Sequence, residues 1–319
     1  MIQIELDEIK KLVGLKDLFK PVRQSFIDYS SGKVIASPIN LLHFGNHADA
    51  HIKIAAVEGY DYFTIKVATM FPHNSIKNLP INNGAIFIFN ANTGALTATL
   101  IDRGYLTDLR TAVAGATITH EVAKKDATTV SVIGTGFQAF YQIIALQELR
   151  PIQKLTIYGR TLNNALAIKN KIENAIPNIQ IEVSSTIEKA VKNSEIIITT
   201  TSSTSPIIKS NWLTFGQHIT AIGADDTFKK ELDSQCFADA KSIYVDSLEL
   251  NKKYGEYKDA FNQNPSIIDK TFEFGQFFSN NEDLKIKNGF TIAKLVGLGE
   301  QDLAAAITVM NNYNCKNSI

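Results

Sequence analysis

Apolar positions recur at helical spacing through residues 5–31, as Ile9, Leu12 and Val13 and then as Leu18, Phe19, Val22 and Phe26. Gly14 interrupts the pattern and "SSGK" ends it, so the stretch predicts two short helices in succession. Between about residues 34 and 100 the period changes to short β-rich runs, "HIKIAAV", "YFTIKVATM", "GAIFIFN" and "ALTATLID". The turn signals "VEGYD", "NNG" and "NTG" separate them, which predicts a mostly antiparallel meander. Residues 107–123 are Ala-rich and helical in period.

From residue 129 to about 250, strand-like and helix-like segments alternate. The strands are "TVSVIG", "KLTIYG", "IQIEVS", "EIIITTT", "HITAIGA" and "KSIYVDS", with amphipathic segments between most of them. That is the mark of a parallel sheet with helices on both faces. One more strand in "GFTIAKLV" and a helix from about Glu300 complete the pattern. The expected fold class is α/β, a doubly wound parallel sheet of Rossmann type plus an N-terminal α+β domain.

Gly134-Thr135-Gly136 joins the first strand of the alternating region to its first helix. Glycine serves any tight strand-to-helix turn, so the motif alone is weak. Its position adds weight, because two backbone amides and the positive helix end would face a pyrophosphate. Ala139 stands at the third glycine position, where small size is enough for helix–strand packing. The second strand ends in "YGRT", Arg160 followed by Thr161. An acidic residue there would hold the ribose hydroxyls of NAD; an arginine fits a 2′-phosphate, or it is simply a surface residue. A dinucleotide is expected, NADP(H) in preference to NAD(H), with Thr135 and Gln138 beside the pyrophosphate. Thr199, Thr200 and Thr201 end the fourth strand; their hydroxyls either reach a nicotinamide ribose, Thr201 foremost, or merely suit a strand.

Composition narrows the function classes. Lys+Arg and Asp+Glu are both 32, which argues against a nucleic-acid partner. No apolar run approaches the ~18 residues of a membrane span, and the mixed-charge N-terminus is unlike a signal peptide. Cys236 and Cys315 form no CxxC pattern and read as free thiols of a cytoplasmic protein. His43, His47 and His51 have the spacing of metal ligands on a helix, but Gly45, Asn46 and Asp49 make the stretch a hairpin turn, so no metal is expected.

Taken in order, "SGKVIASP", "YFTIKVATMFPHN", "LPINNGAIFIFNANTGAL", "LTDLRTAVAGA", "VIGTGFQA", "YGRT", "ITTTSSTSPII", "AIGADDTFKKELD" and "LGEQDLAAA" resemble the ornithine cyclodeaminase/mu-crystallin family over nearly the whole chain. The run "LTDLRTAVAGA" is the most specific. The resemblance implies a homodimer joined through an N-terminal β-domain, an inserted Rossmann domain, and a nicotinamide cofactor. It implies substrates that are amino acids or their cyclic imines. It divides the chain into a substrate-binding and dimerisation part, residues 1–116 with 300–319 returning to it, and a dinucleotide-binding part, residues 117–299.

Lys66 lies within an apolar strand, where a charge is costly unless paired or used. It either snorkels to water from a strand edge or, as the resemblance implies, faces the substrate carboxylate and the nicotinamide ring. Arg110 is suited to grip a carboxylate through two parallel N–H bonds, with Asp108 and Asp102 as alternative or additional partners. Asp225 follows a parallel strand at the edge where such sheets put ligands, and the resemblance gives it proton transfer at the reacting nitrogen. Asp226 is adjacent, and the downstream "KKELD" sets the register in favour of Asp225. Asp302 matches an acidic family position near the cofactor and receives no role.

Three substrate-side positions depart from the family. Asn40 replaces an arginine, Ile81 a threonine, and Lys53 the glutamate that cyclodeaminases carry. Lys53 would repel the distal ammonium of ornithine and favour a neutral or anionic side chain, if it points inward rather than outward. The expected activity is hydride transfer between NADP(H) and the α-carbon of an amino or imino acid: a ketimine or 1-pyrroline-2-carboxylate reductase, or an amino acid dehydrogenase. Cyclodeamination of ornithine or lysine is the alternative. A non-catalytic carrier of NADPH and a small ligand, like mu-crystallin, is the rival of another class, disfavoured by the retention of Lys66 and Asp225.

Overall fold

The computed structural model describes residues 1–35, 40–45, 48–280 and 289–317. In chain order, β1 (Ile2–Glu5), α1 (Leu6–Leu12) and α2 (Leu15–Ser30) precede β2 (Val34–Ile35), β3 (Asn40–Gly45) and β4 (Ala48–Val57). Next come β5 (Tyr62–Met70), β6 (Asn82–Asn90), β7 (Leu96–Ile101) and α3 (Tyr105–Val122). The alternating region follows: β8 (Thr129–Ile133), α4 (Phe137–Leu149), β9 (Lys154–Tyr158), α5 (Leu162–Ala175), β10 (Gln180–Val183), α6 (Ile187–Lys192), β11 (Ile196–Thr199) and β12 (His218–Ala221). The rest is α7 (Ser234–Asp239), β13 (Ser242–Val245), α8 (Leu248–Asn251), α9 (Gly255–Gln263), β14 (Thr271–Glu273), α10 (Phe274–Asn280), β15 (Thr291–Lys294) and α11 (Gly299–Asn317).

The chain divides into two units, Met1–Arg110 with Leu298–Ile319, and Thr111–Gly297. The first boundary falls inside α3, after Arg110, where the sequence reading placed it after residue 116.

In the first unit β4 to β7 form an antiparallel meander, and β1 joins its edge parallel to β7. β1 escaped the pattern analysis because four residues, held mainly by pairing, show no clear period. Strand side chains alternate between faces. On one face Ala55 and Val57 pack with Leu303 of α11, while Ile86, Ile88 and Leu100 are fully buried. α11 also packs on α2. The opposite face carries Ile52, Ile54, Phe63, Ile65, Val67, Phe87 and Phe89, none of them buried. Phe63 and Phe89 stack there at 4.9 Å. His43 and His51 occupy β3 and β4, which Gly45 and Ala48 close as a hairpin; His47 lies outside the described residues.

The second unit holds an entirely parallel sheet ordered β10-β9-β8-β11-β12-β15-β13-β14. Its strands are runs of Ile and Val buried on both faces, as a doubly covered sheet requires. From β8 the chain winds outward through β9 and β10, then crosses back to β11 on the other side. This reversal creates a crevice beyond the carboxyl ends of β8 and β11. β14 spans three residues, too short to leave a periodic trace in the sequence.

Candidate active site

In the second unit, the crevice beyond β8 and β11 is a cavity of ≈ 410 Å³ lined by Gly134, Thr135, Gly136, Arg160, Thr200 and Thr201, among others. Gly134 has φ 128°, a backbone state L side chains rarely adopt, and a Cβ there would collide with Thr200 Oγ1. Gly136 caps α4 and is different: a Cβ on it would meet nothing within 4 Å. Protein packing therefore does not demand a glycine at 136, whereas close approach of a ligand to the backbone would. The open turn, the N-terminus of a 13-residue helix and the adjoining arginine suit the diphosphate and ribose of a dinucleotide.

Not every expected cofactor residue faces this cavity. Ala139, in the first turn of α4, is fully buried and does not line the cavity. Gln138 accepts a hydrogen bond from Gln142 Nε2 at 3.2 Å, and neither it nor Thr161, which caps α5, lines the cavity. Thr201 does line it, but its hydroxyl donates to Glu231 Oε1 at 2.8 Å. Glu231, fully buried, also accepts from the amides of Thr201 and Gly223 and from the Thr199 hydroxyl. Burial pushes its carboxyl upward against these bonds. One carboxylate thus ties the end of β11 to the end of β12. It was legible only as part of "KKELD", with no period to mark it.

The loop after β12 carries Asp225 and Asp226. Asp226 accepts from the amides of Phe228 (2.7 Å) and Lys229 (2.8 Å), which is a turn-capping role. Asp225, 38% exposed, meets Lys229 Nζ at 2.7 Å. Burial disfavours the Lys229 ammonium, but Asp225 and Asp226 outweigh it and hold it above its ordinary value. Beneath the loop, fully buried Lys294 donates to the carbonyl of Ala224 at 2.6 Å, and Gly255 N–H donates to the carbonyl of Asp226 at 2.7 Å. Burial pushes the nearby Glu256 carboxyl up to about 7, with the Lys294 charge opposing. The backbone around Asp225 is therefore fixed from below.

In the first unit, Lys66 sits on β5, an interior strand, and is 2% exposed, so it does not snorkel from an edge. Its Nζ lies 2.6 Å from Asp302 Oδ2 and donates to Thr107 Oγ1 at 3.2 Å. Arg110, 4% exposed, donates from Nε to Asp302 Oδ1 (2.9 Å) and from a terminal nitrogen to Gln301 Oε1 (2.6 Å). The sequence offered Asp108 and Asp102 as alternative or additional partners of Arg110, beside a substrate carboxylate. Asp302 joins Arg110 because α11 returns its acidic first turn to the sheet, a long-range contact no local spacing announces. Asp302, given no role from sequence, is shared by both cations. Burial raises its carboxyl, but Arg110 and Lys66 outweigh that and hold it below the usual carboxylate range. Burial pulls the Lys66 ammonium down to about 7, Asp302 opposing and Arg110 and Lys53 assisting.

Lys53 lies directly opposite Lys66 in the β4–β5 ladder and is 7% exposed, so it points to the same face and not outward. Asn40, paired with Ile52, and Ile81 are both exposed. Among the described residues, no group of three or more His, Cys, Asp or Glu is placed to hold a metal ion. No helix among them is long and apolar enough to cross a membrane.

Known proteins are similar to this chain in sequence and in fold. A family model described as ornithine cyclodeaminase/mu-crystallin matches residues 2–317. Alanine dehydrogenase of Archaeoglobus fulgidus is 30% identical over 98% of this chain and 94% of its own length. A Delta(1)-pyrroline-2-carboxylate reductase of Bacillus cereus is 28% identical over 96% and 94%. A solved archaeal alanine dehydrogenase dimer with bound NAD superposes with a TM-score of 0.90 at 28% identity, covering 99% of this chain and 97% of that one.

Proposed function

The chain belongs to the ornithine cyclodeaminase/mu-crystallin family, and on that premise we propose that it is a nicotinamide-dependent oxidoreductase of amino or imino acids, acting as a ketimine or 1-pyrroline-2-carboxylate reductase or as an amino acid dehydrogenase. Two features, each within its own unit, support the reading. One unit presents an open diglycine turn at the reversal of a parallel sheet; the other presents a buried lysine and arginine that share a single carboxylate. When bound, the cofactor supplies two-electron chemistry at C4 of its nicotinamide ring.

The side chains divide the remaining work. Arg110 and Lys66 hold the substrate carboxylate, and Asp302 fixes both cations beforehand so that little reorganisation accompanies binding. Oxidation removes the α-hydrogen with its electron pair and one proton from nitrogen, leaving a C=N bond. Asp225 takes that proton and, in the reductive direction, returns it. Glu231 and Lys294 hold the strand ends and loop that carry Thr201 and Asp225. The Arg160 guanidinium at the cavity favours NADP(H) over NAD(H).

The partly exposed apolar residues on the other face of the β4–β7 sheet, with Ile54 37% exposed and Phe63 stacked on Phe89, support a homodimer joined through the first unit. Light scattering on the eluted protein reads the mass directly; a monomer at micromolar concentration refutes the dimer.

The activity is tested by following NADPH and NADH oxidation with a panel of cyclic and linear imino acids, and reduction of NADP+ and NAD+ with amino acids. Turnover of at least one substrate is expected. Nucleotide binding with no turnover across the panel replaces this reading with that of a non-catalytic carrier.

A further inference from the structure

Within the second unit, Glu231, Asp246 and Glu256 are buried around the Lys294 ammonium, and none of the four is more than 1% exposed. Three of them are held by hydrogen bonds. Glu231 accepts from the hydroxyls of Thr199 and Thr201 and from the amides of Thr201 and Gly223. Asp246 accepts from the amides of Ser247, Val296 and Gly297 and from the Asn251 side chain. Lys294 donates to the carbonyls of Ala224 (2.6 Å) and Leu295 (2.9 Å). Glu256 differs: neither of its carboxyl oxygens has a hydrogen-bond partner.

A carboxylate buried without hydrogen bonds is costly, and taking up a proton removes the cost. Glu256 is faced by the Lys294 ammonium from β15, by Glu231 and the Leu232 amide from the loop before α7, by its own amide, and by Cys236 from α7. Burial has the largest effect and moves its carboxyl up to about 7, with Lys294 opposing and Glu231 assisting. Gly255, the residue before it, packs against the groups that hold the Asp225 loop. A Cβ there would lie 2.7 Å from the Ala224 carbonyl oxygen and 3.0 Å from Lys294 Cε. Glu256 thus begins α9 beside the ammonium that holds the carbonyl preceding Asp225.

We propose that Glu256 is a positioning residue for Asp225: with its proton it leaves Lys294 on the Ala224 carbonyl, and without it the carboxylate competes for that ammonium and the loop loses its tie. The inference rests on the reading of Asp225 as proton acceptor and adds a control on its placement. Glu256 acts through Lys294 and needs no contact with substrate or nucleotide.

The first test is amide hydrogen exchange of the segment from Gly223 to Lys230 in the unliganded protein, from about pH 6 to about pH 9, either side of the Glu256 value. After correction for the intrinsic pH dependence of exchange, protection is expected to fall by about tenfold or more, the order of one lost charge-assisted hydrogen bond. Glu256→Gln keeps the shape and cannot ionise, so its protection is expected to stay constant across that range. The second test is kcat at saturating substrate and nucleotide, where the pH dependence of carboxylate binding drops out. The ratio of native to Glu256→Gln kcat is expected to fall by about tenfold or more as pH rises through that range. Native protection that does not change with pH, or a kcat ratio that stays constant, overturns the inference and leaves the oxidoreductase reading intact. No turnover of any amino or imino acid overturns that reading, and hydrogen exchange then still decides whether Glu256 governs the loop.

Discussion

Asp302, in the first turn of α11, and Lys66, in the middle of β5, approach to 2.6 Å where neither is more than 2% exposed. Arg110 binds the other oxygen of the same carboxylate. Removing one member of a buried ion pair is strongly destabilising, because the charge left behind is buried and uncompensated. Asp302→Asn is therefore expected to cost about 3–5 kcal/mol in denaturant unfolding, the range for breaking a buried pair. Lys66→Met in the same background should recover part of that loss, because the two residues act as a unit. Strictly additive costs would show that the pair is not energetically coupled.

Lys66 gives the carboxylate site a pH dependence whose sign follows from its charge. Its folded-state ammonium titrates at about 7, and an anionic ligand binds the protonated form and raises that value. Binding then takes up a proton above about 7, so affinity weakens as pH rises through and beyond that point. Calorimetry in buffers of different ionisation enthalpy measures the uptake. A pH-independent Kd, or one that tightens with rising pH, contradicts the assignment of Lys66 to the carboxylate.

Gly136 and Gly134 separate ligand space from protein space. Gly136→Ala adds a methyl into open space, so the thermal midpoint should stay within about 2 °C while nucleotide Kd rises roughly tenfold, about 1.4 kcal/mol. Gly134→Ala is expected to destabilise the fold itself, by about 1–3 kcal/mol, because of its φ of 128° and the Thr200 contact. Thermal melts beside fluorescence titrations distinguish the two. A Gly136→Ala protein that melts early and binds normally reverses the interpretation.

Arg160→Glu should weaken NADPH by about 10- to 100-fold more than NADH, since it places a carboxylate where a 2′-phosphate would lie. Equal responses of the two nucleotides would mean that Arg160 does not read that phosphate.

Asp225→Asn removes the proton acceptor but keeps the shape, and Asp226 still caps the turn. A loss of about 10²- to 10⁴-fold in kcat is expected, with NADPH affinity nearly unchanged. Retained turnover assigns the proton to another group.

The pattern of the sequence located the parallel sheet well, since runs such as "SVI" and "IIIT" are buried on both sides and leave a strong trace. Lys66 stood out as a charge within an apolar run and Arg110 through the motif "LTDLRTAVAGA", and both are buried. The pattern did not reveal Asp302 as their common partner, nor Glu231 and Lys294 as the ties behind Thr201 and Asp225. Each of these acts across a long stretch of chain, and each sits in a segment whose own period is ordinary. The orientation of Lys53 was open for a related reason: one residue of register decides the face, and only the pairing with Lys66 fixes it.

The first unit takes α11 from beyond the second, and this sets an order of events during synthesis. Lys66 and Arg110 leave the ribosome well before Asp302 is made, on the order of ten seconds or more at ordinary translation rates. Through that interval the nascent first unit holds unneutralised cations and lacks the helix that covers its sheet. The second unit, continuous from Thr111 to Gly297, has all its strands available sooner. The part translated first is therefore the part that finishes folding last.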